Sequence, residues 1–328
     1  MTVEGVHLLE LLQTPALVVS RGLVRFANSA AQGLLGAHIV GQDVRIAIRD
    51  PRAVAAILSE KGGSAQVTGL STGGSVWEVD CRVIGPNERL VSLYDLSERV
   101  SVAKSHADFV ANASHELRTP LANVLGYVET LLNPKAGGNE EVRNRFLGTI
   151  RHEAQRMQAL ISDLMSLSRI EAVKHEVPSD RIDLVALAQE VVGEFRDGAQ
   201  VTVTANCADA VIAGDRGQLS QVLRNLIDNA LKYGKPGGPV EVSVEAANTG
   251  WVLVMVRDHG EGIPPEHLPR ITERFYRADT SRSRAAGGTG LGLSIVKHIV
   301  ERHRGRFDVE SRLGSGTTAS LMLPLKEA

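Results

Sequence analysis

The apolar side chains between residues 97 and 173 repeat at helical spacing, and this repeat restricts the possible folds more than any other feature of the sequence. The first stripe consists of Leu117, Leu121, Val124, Val128 and Leu131. Its members follow the four-three spacing of a coiled-coil helix. After an interruption at Asn133–Gly138, a second stripe consists of Phe146, Ile150, Met157, Ile161 and Leu164. The sequence therefore predicts two long helices joined by a short loop.

A hairpin of two amphipathic helices leaves part of each apolar stripe uncovered. Four such helices, two from each of two chains, can bury their stripes against one another in a bundle. We therefore expect residues 97–175 to form an antiparallel helical hairpin that brings two copies of the chain together as a homodimer.

The segments on either side of the hairpin mix strand and helix patterns. In residues 1–96 we expect strands near 15–19, 23–26, 76–84 and 89–95, and a helix that opens at Asn28. In residues 180–328 we expect strands at 200–205, 210–213, 240–246, 251–257, 306–310 and 317–323, and helices at 183–196, 216–233 and 290–303. The predicted fold class is multidomain α+β, with domains at 1–96, 97–175 and 180–328.

Composition and charge exclude several classes of protein. Hydrophobic residues make up 43% and charged residues 23% of the chain, as in globular proteins rather than disordered ones. The net charge of −2 offers no chain-wide positive field for nucleic acid. Cys81 and Cys207 lie far apart without a Cys-x-x-Cys pattern, so we expect no metal cluster or redox pair.

The hydropathy pattern predicts that no segment spans a membrane. The longest apolar run is Trp251–Val256, whereas a spanning helix needs about 18 or more apolar residues. No lysine or arginine precedes Arg21, so we expect no secretory signal. The expected location is the cytoplasm, and the sequence leaves peripheral membrane association open.

The predicted helix 216–233 carries Asn225, Asn229 and Lys232 on one face. Two amide groups and one ammonium can hold a hydrated Mg²⁺ ion and phosphate oxygens. Tyr233 ends the helix and could stack on a base. The alternative interpretation is a solvated polar face.

Two glycine-containing segments suit the binding of a nucleotide. Gly287–Leu293 precedes a helix, whose first N–H groups can point at phosphate, although a flexible loop has the same composition. It is not a P-loop, because no Gly-Lys-Ser/Thr follows. Asp258 ends the apolar strand and precedes Gly260 and Gly262. Its carboxylate suits an adenine amino group, and an ordinary Asp-Gly turn is the alternative.

His115 lies on the first hairpin helix, next to Glu116 and one turn before Thr119. An imidazole is a nucleophile near neutral pH, and a neighbouring carboxylate can orient it and take its proton. A single helical histidine is more often structural, so this pattern alone does not identify a catalytic residue.

Together, these segments resemble the two-component sensor histidine kinases. His115–Leu121 resembles the phosphoacceptor box of that family, and Gln218–Gly234 resembles its N box. Its three glycine boxes and its F box are matched by Asp258–Gly262, Gly288–Leu293, Gly314–Thr317 and Glu273–Arg277. The order and spacing of all six motifs agree over residues 100–325.

The resemblance implies a PAS-like α/β domain, a hairpin that forms a dimeric four-helix bundle, and an α/β-sandwich ATP-binding domain of the histidine-kinase, gyrase and chaperone type. It implies that His115 attacks the γ-phosphoryl of ATP with Glu116 as general base, and that the phosphoryl passes to an aspartate of a response regulator. It also implies a phosphatase reaction in which Thr119 orients water.

The same resemblance implies ATP and Mg²⁺ as cofactors. Asn229, and after it Asn225, would hold the metal, and Arg274 and Arg277 would stabilise charge on the γ-phosphoryl beside a lid at 270–289. The nucleotide-binding residues would be Asn225, Asn229, Lys232, Tyr233, Asp258, Gly260, Gly262, Arg274, Phe275, Arg277, Gly288, Thr289, Gly290, Leu291, Gly292, Leu293 and Thr317.

The first domain resembles a PAS sensor module at Asn28–Ala31, and residues 107–115 resemble phosphate-regulon sensor kinases, which suggests phosphate-starvation signalling. Many of those kinases carry membrane helices. Two other functions remain to be compared. A gyrase- or chaperone-type ATPase shares the nucleotide motifs but needs no His115 box, and a non-catalytic PAS scaffold tolerates decay of Asn229 or the glycine boxes.

Overall fold

The computed structural model describes residues 3–71, 74–133, 138–173, 176–195, 200–207, 210–247, 250–278 and 288–326. The chain forms two compact units, Met1–Ala111 and Asn112–Ala328. The boundary between them lies inside the helix Ser97–Leu132. The division into three domains at 1–96, 97–175 and 180–328 stays a prediction.

The first unit is built on one antiparallel sheet. Its strands are β1 (Ala16–Ser20), β2 (Leu23–Ala27), β3 (Gly63–Thr68), β4 (Val76–Gly85) and β5 (Glu88–Asp95). Its helices are α1 (Val3–Glu10), α2 (Ser29–Leu35), α3 (Val44–Ala47) and α4 (Pro51–Leu58). The strand order is β2-β1-β5-β4-β3. The four predicted strands and the helix after Asn28 are confirmed, whereas α1, β3, α3 and α4 were not predicted.

Asn28 is fully buried and connects three parts of this unit. Its side-chain oxygen accepts hydrogen bonds of 2.9 Å from the backbone N–H groups of Ala16 and Ala31. Its amide group donates to three backbone carbonyls between residues 9 and 14. Asn28 therefore caps α2, as its position before the predicted helix suggested, and also fixes the chain that follows α1.

The second unit begins with the helical hairpin. The helices are α5 (Ser97–Leu132), of which the part from Asn112 belongs to this unit, and α6 (Glu140–Ala172). Asn139 caps α6 by accepting a 3.1 Å hydrogen bond from the Val142 N–H. The rings of Tyr127 and Phe146 lie 5.1 Å apart and join the two helices. The two predicted helices are confirmed; residues 134–137 of the predicted loop lie outside the described residues.

Within one chain, the predicted second stripe of α6 is partly covered. Phe146, Ile150, Met157 and Leu164 are half-buried, and Ile161 is 48% exposed. Leu160, Leu167 and Ile170, which were not predicted, are buried, because α6 also packs against a helix of the α/β region in the same unit. The burial of the stripe in a two-chain bundle stays a prediction.

The α/β region is a sheet covered by helices. Its strands are β6 (Asp180–Asp183), β7 (Val201–Asn206), β8 (Val211–Gly214), β9 (Val240–Ala246), β10 (Trp251–Arg257), β11 (Arg306–Arg312) and β12 (Gly316–Pro324). Its helices are α7 (Leu184–Glu194), α8 (Arg216–Tyr233) and α9 (Gly292–Arg302). The main sheet has the order β11-β12-β10-β9-β7, with β7 and β9 parallel, and β6 pairs with β8.

This region confirms the predicted α/β sandwich. Valines 252, 254 and 256 of β10 are buried while the residues between them are more exposed, so the sheet buries one face against the helices. Within the described part of the chain, no helix combines the length and the apolarity that crossing a membrane requires.

Candidate functional site

Helix α8 places Asn225 and Asn229 opposite the start of α9. Asp215 caps α8 by accepting a 3.1 Å hydrogen bond from the Gln218 N–H, and the apolar side of the helix is buried. The Asn225 amide donates a 3.3 Å hydrogen bond to the Gly292 carbonyl. A Cβ atom on Gly292 would lie 3.9 Å from both asparagine side chains. The predicted N box and second glycine box therefore meet.

Asp258 directly follows β10 and is held by its neighbours. Its N–H donates to the Thr317 carbonyl at 2.9 Å, and its Oδ1 accepts from the Gly260 N–H at 2.8 Å. Burial raises the pKa of this carboxyl, and hydrogen bonding to the backbone N–H groups of Gly260 and Thr317 lowers that pKa. Asp258 is 7% exposed, so one recessed carboxylate stands at the edge of the sheet, as an adenine acceptor requires.

The loop after Asp258 packs closely against the end of α8. A Cβ atom on Gly260 would clash with the Tyr233 carbonyl oxygen, so only glycine fits there. Gly262 has a φ of +76°, and the neighbouring Glu261 carbonyl accepts a 2.7 Å hydrogen bond from the Gly314 N–H. The N box and the first and third glycine boxes are thus joined by backbone contacts. Lys232 and Tyr233 are exposed at the same end of α8.

The second glycine box is held against the F box. The Phe275 N–H donates a 2.8 Å hydrogen bond to the Gly290 carbonyl, and Phe275 has a φ of +63°. The Leu291 N–H donates to the Thr289 hydroxyl at 3.3 Å. Leu291 is fully buried and Leu293 is half-buried in the first turn of α9. The structure therefore brings Gly288–Leu293 beside α8. Residues 279–287 of the predicted lid, which include Gly287 of the glycine-rich segment, lie outside the described residues.

Two carboxylates, Asp163 and Asp228, and the Lys232 ammonium interact electrostatically beside the second glycine box. Burial raises the pKa of Asp228, and the Lys232 charge lowers it. Burial also raises the pKa of Asp163, which the Thr289 hydrogen bond and the Lys232 charge lower and the Asp228 charge raises. Asp163 belongs to α6, so the hairpin contributes a carboxylate to this group.

His115 and Thr119 are both exposed on α5. The Thr119 hydroxyl donates a 3.3 Å hydrogen bond to the His115 carbonyl. Glu116 is half-buried, and its Oε2 accepts from Arg156 at 3.0 Å and from Arg277 at 3.2 Å. The predicted base therefore lies between two arginines in this structure.

The predicted charge-stabilising arginines contact the hairpin. Arg277 also donates to the Gly288 carbonyl. Arg274 donates to Glu171 near the end of α6 and contacts the His298 ring at 3.3 Å. Arg277 thus pairs with two residues of the predicted motifs, Glu116 and Gly288, whereas Glu171 and His298, which contact Arg274, lie outside those motifs.

Sequence reasoning missed Arg156, Asp163 and Glu171. All three lie on α6, for which only the apolar stripe was considered. Arg156 and Asp163 are less exposed than a solvated helical charge, but only the structure shows this. Nothing local in the sequence indicated the partner of any of the three.

The residues present fit a magnesium–nucleotide complex. In the described ranges, no group of three or more His, Cys, Asp or Glu side chains could hold a metal ion by itself. Mg²⁺ often keeps several waters and takes few protein ligands together with substrate phosphates. The amide oxygens of Asn225 and Asn229 are suitable ligands of this kind, and they lie beside the helix start that suits phosphate.

Two family models match the chain. Residues 105–173 match the "His Kinase A (phospho-acceptor) domain", and residues 214–327 match the "Histidine kinase-, DNA gyrase B-, and HSP90-like ATPase". The first range contains His115, and the second contains α8, the Asp258 loop and α9.

Curated relatives agree with these matches. The sensor protein SrrB of Staphylococcus aureus strain N315 is 35% identical over 247 residues, which cover 74% of this chain and 42% of SrrB. The corresponding protein of strain Mu50 matches equally. The chain thus spans less than half the length of these relatives.

Solved structures support the fold. The histidine kinase AdeS of Acinetobacter baumannii is similar with a TM-score of 0.50 and 24% identity, covering 65% of this chain and 98% of AdeS. The structure of the histidine kinase ThkA in complex with the response regulator TrrA matches with a TM-score of 0.51 and 18% identity. The match covers 97% of this chain and 98% of the matched chain. The two domain matches, which together span more than half of this chain, and the agreement of the curated relatives show that the chain belongs to the histidine kinase family.

Proposed function

We propose that the protein is the sensor kinase of a two-component system, which phosphorylates itself on His115 with ATP and passes the phosphoryl group to an aspartate of a response regulator. The observation that carries the proposal is the meeting of Asn225, Asn229 and Gly292 in the same compact unit as an exposed His115. Gly292 lies 67 positions after Asn225 in the sequence, and the fold brings it to the two asparagines; His115 precedes Asn225 by more than 100 residues.

In the proposed nucleotide site, Asp258 accepts a hydrogen bond from the adenine amino group and Tyr233 stacks on the base. Lys232, Thr289 and the first N–H groups of α9 bind the phosphate oxygens. Asn229 and Asn225 hold Mg²⁺, which neutralises charge on the phosphates when bound. Gly260, Gly262, Gly288, Gly290 and Thr317 shape the backbone around these side chains. Such a reaction depends mainly on positioning and charge stabilisation.

In the proposed transfer, an imidazole nitrogen of His115 attacks the γ-phosphorus. The new N–P bond forms as the bond from phosphorus to the ADP oxygen breaks, and the imidazole proton passes to Glu116. Arg274 and Arg277 stabilise the charge on the phosphoryl group. Because Glu116 and Arg277 bind one another in this structure, both are released before they act at His115.

The hairpin is also the proposed site of dimerisation and of regulator docking. Leu121, Leu125, Val128 and Leu132 are exposed on α5 at four-three-four spacing, which supports a four-helix bundle from two chains. The relative ThkA is seen with a response regulator, which supports a partner of that class here. Thr119, exposed beside His115, supports a second activity, dephosphorylation of the regulator.

The first unit is proposed to be the PAS-like input module. Its five-stranded antiparallel sheet and the Asn28 cap support that proposal. Phosphate starvation is the signal suggested by the resemblance of residues 107–115 to phosphate-regulon kinases. Comparing autophosphorylation in cells grown with and without phosphate tests this signal separately from the enzymatic activity.

Labelling with γ-labelled ATP tests the kinase activity. His115→Gln removes the nucleophile and is expected to bind ATP but take no label. Asn229→Asp changes the charge beside the metal and the phosphates and is expected to lose labelling. His152→Gln changes an exposed histidine of α6 and is the matched control. Acid-stable label on His115→Gln would contradict the proposal, because it would indicate a hydroxyl acceptor.

A further inference from the structure

Asp163 of the hairpin lies among the residues proposed to bind the phosphates of ATP. Its Oδ2 accepts a 2.7 Å hydrogen bond from the Thr289 hydroxyl. The same carboxylate interacts electrostatically with Lys232. Thr289 precedes α9 and Lys232 ends α8, so one carboxylate engages groups from both segments of the proposed phosphate site.

The surroundings of Asp163 explain why its carboxylate depends on the Thr289 hydrogen bond and on the Lys232 charge. Burial raises the pKa of the Asp163 carboxyl, and the neighbouring Asp228 charge raises it further. A carboxylate in such a position needs a donor and a positive charge to compensate for lost hydration. Thr289 supplies the hydrogen bond and Lys232 supplies the positive charge.

The position of Asp163 is fixed by the packing of α6 on α9. Leu160 and Leu167 lie three residues before and four residues after Asp163, on the same side of the helix, and both are buried. One turn further, the Ser166 hydroxyl donates a 2.8 Å hydrogen bond to the Gln221 side chain of α8. Asp163 is therefore presented by a packed helix face rather than by a loop.

We propose that Asp163 is an internal competitor of the nucleotide phosphates, which occupies the Thr289 hydroxyl beside Lys232 until ATP displaces it. The inference rests on the proposed function, because that function assigns ATP to this site. Carboxylate and phosphate are anions that accept hydrogen bonds from the same donors. Two such anions at one set of donors repel each other, so ATP binds after Asp163 leaves Thr289.

The consequence is a coupling between hairpin docking and nucleotide binding. The docked hairpin lowers the affinity for ATP, and by linkage ATP weakens the docked arrangement by the same factor. Nucleotide binding would then free the α/β region from this contact, as the approach of the bound phosphates to His115 requires.

The test compares nucleotide affinities of full-length variants. Asp163→Asn keeps an oxygen that can accept from Thr289 and removes the charge. Its dissociation constant for ATP with Mg²⁺, measured by calorimetry, is expected to fall by about fivefold or more. Adenosine lacks phosphates, and competition against a fluorescent nucleotide is expected to give an unchanged affinity for it. Asp163→Ser, which introduces no amide donor, is expected to behave in the same way.

Glu141→Gln is the matched control, because it removes the same charge from an exposed position in the first turn of α6. It is expected to leave both affinities unchanged. Unchanged or weaker ATP binding by both Asp163 variants would overturn the competition. Equal tightening for adenosine would overturn it too, because the substitution would then open the whole site. Failure of the wild-type protein to bind ATP would instead contradict the proposed function.

Discussion

Arg277 donates a 3.2 Å hydrogen bond to Glu116, the residue next to His115. The same carboxylate oxygen accepts a 3.0 Å hydrogen bond from Arg156 of the hairpin. A proposed base and a proposed phosphoryl-stabilising group are therefore paired with one another. A substitution of Glu116 therefore tests whether the kinase reaction can be separated from ATP binding and from dephosphorylation of the regulator.

Glu116→Gln is expected to lower autophosphorylation by about a hundredfold, because the amide cannot accept the imidazole proton. ATP binding should be retained and be no weaker, because Glu116 itself lies outside the proposed nucleotide site and its loss frees Arg277. Dephosphorylation of a regulator should also be retained, because water attack does not use this carboxylate. Initial rates of labelling from γ-labelled ATP, beside calorimetry, measure the difference.

Glu129→Gln is the matched control for this substitution. Glu129 is exposed on the same helix, and its loss should leave all three measurements unchanged. Wild-type labelling by Glu116→Gln would show that Glu116 serves only as the anion between Arg156 and Arg277.

Thr119→Ala is expected to show the opposite bias. The Thr119 hydroxyl is exposed and donates only to the His115 carbonyl among the described contacts, a bond that an alanine helix does not need. Labelling by ATP should therefore be retained, and the decay of phosphorylated regulator should slow at least about tenfold because the water loses its orienting group.

Thr119→Ser supplies the control, because it keeps the hydroxyl and should restore most of the decay rate. Decay is followed with purified phospho-regulator and each variant. Equal loss of labelling and decay in Thr119→Ala would mean that Thr119 supports the helix at Pro120 and does not orient water.

Local patterns predicted most elements of both units because the buried faces follow simple periods. Alternation in β10 and the polar stripe of α8 are examples that the structure confirms. Strand β3 was missed because Val67 is its only buried residue, so it carries little alternation. Leu160, Leu167 and Ile170 of α6 were missed because they pack against the α/β region, a partner that the period of the helix does not reveal.

The motifs of the nucleotide site could also be predicted from the sequence, since each glycine box marks a turn or a close approach of two backbones. The contacts between the hairpin and the α/β region could not be predicted. Asp163 meets Thr289 across 126 positions and Glu116 meets Arg277 across 161, and no local propensity encodes a pairing of that range.

Dimerisation is expected to depend on the exposed stripe of α5. Leu125 is 55% exposed within the chain, so Leu125→Glu should leave the hairpin folded. In the proposed bundle the same change buries an unpaired carboxylate, which costs several kcal/mol. Light scattering should therefore show a wild-type dimer and a monomeric variant.

Thr130→Glu provides the control for charge alone, because Thr130 is exposed on the opposite side of α5. It should remain dimeric. A dimeric Leu125→Glu would place the interface elsewhere.

Stability at acid pH is expected to depend on His303, which is buried between α9 and the start of α8. Its Nε2 accepts a 3.0 Å hydrogen bond from the Asp215 N–H, and its Nδ1 donates to the Ile299 carbonyl. The contact with Asp215 requires the neutral ring, because a protonated Nε2 cannot accept a hydrogen bond, whereas Nδ1 can donate to Ile299 in either state. Burial lowers the pKa of His303, and the neighbouring Arg302 charge contributes to the lowering.

The direction of the pH effect follows from proton binding. Between the lowered folded pKa and the unfolded value of about 6.5, the unfolded chain binds more protons at this histidine. The free energy of unfolding therefore falls as the pH falls through that window. Asp163, Asp228 and Asp258 act in the opposite direction at lower pH, because burial raises the pKa of each carboxyl.

Urea denaturation at pH 7.5 and pH 5.5 isolates the contribution of His303. The wild-type protein and His152→Gln, which changes an exposed histidine, should lose the same stability between these pH values. His303→Gln should be less stable at pH 7.5, because it alters buried hydrogen bonds, but should lose less on acidification, because the titrating ring is gone. The difference between the stability losses of the wild-type protein and the variant removes the contribution of the carboxylates, because both proteins contain them. An equal loss in His303→Gln would show that His303 keeps its protonation state on unfolding in this range, and that the cap of α8 is not acid-sensitive.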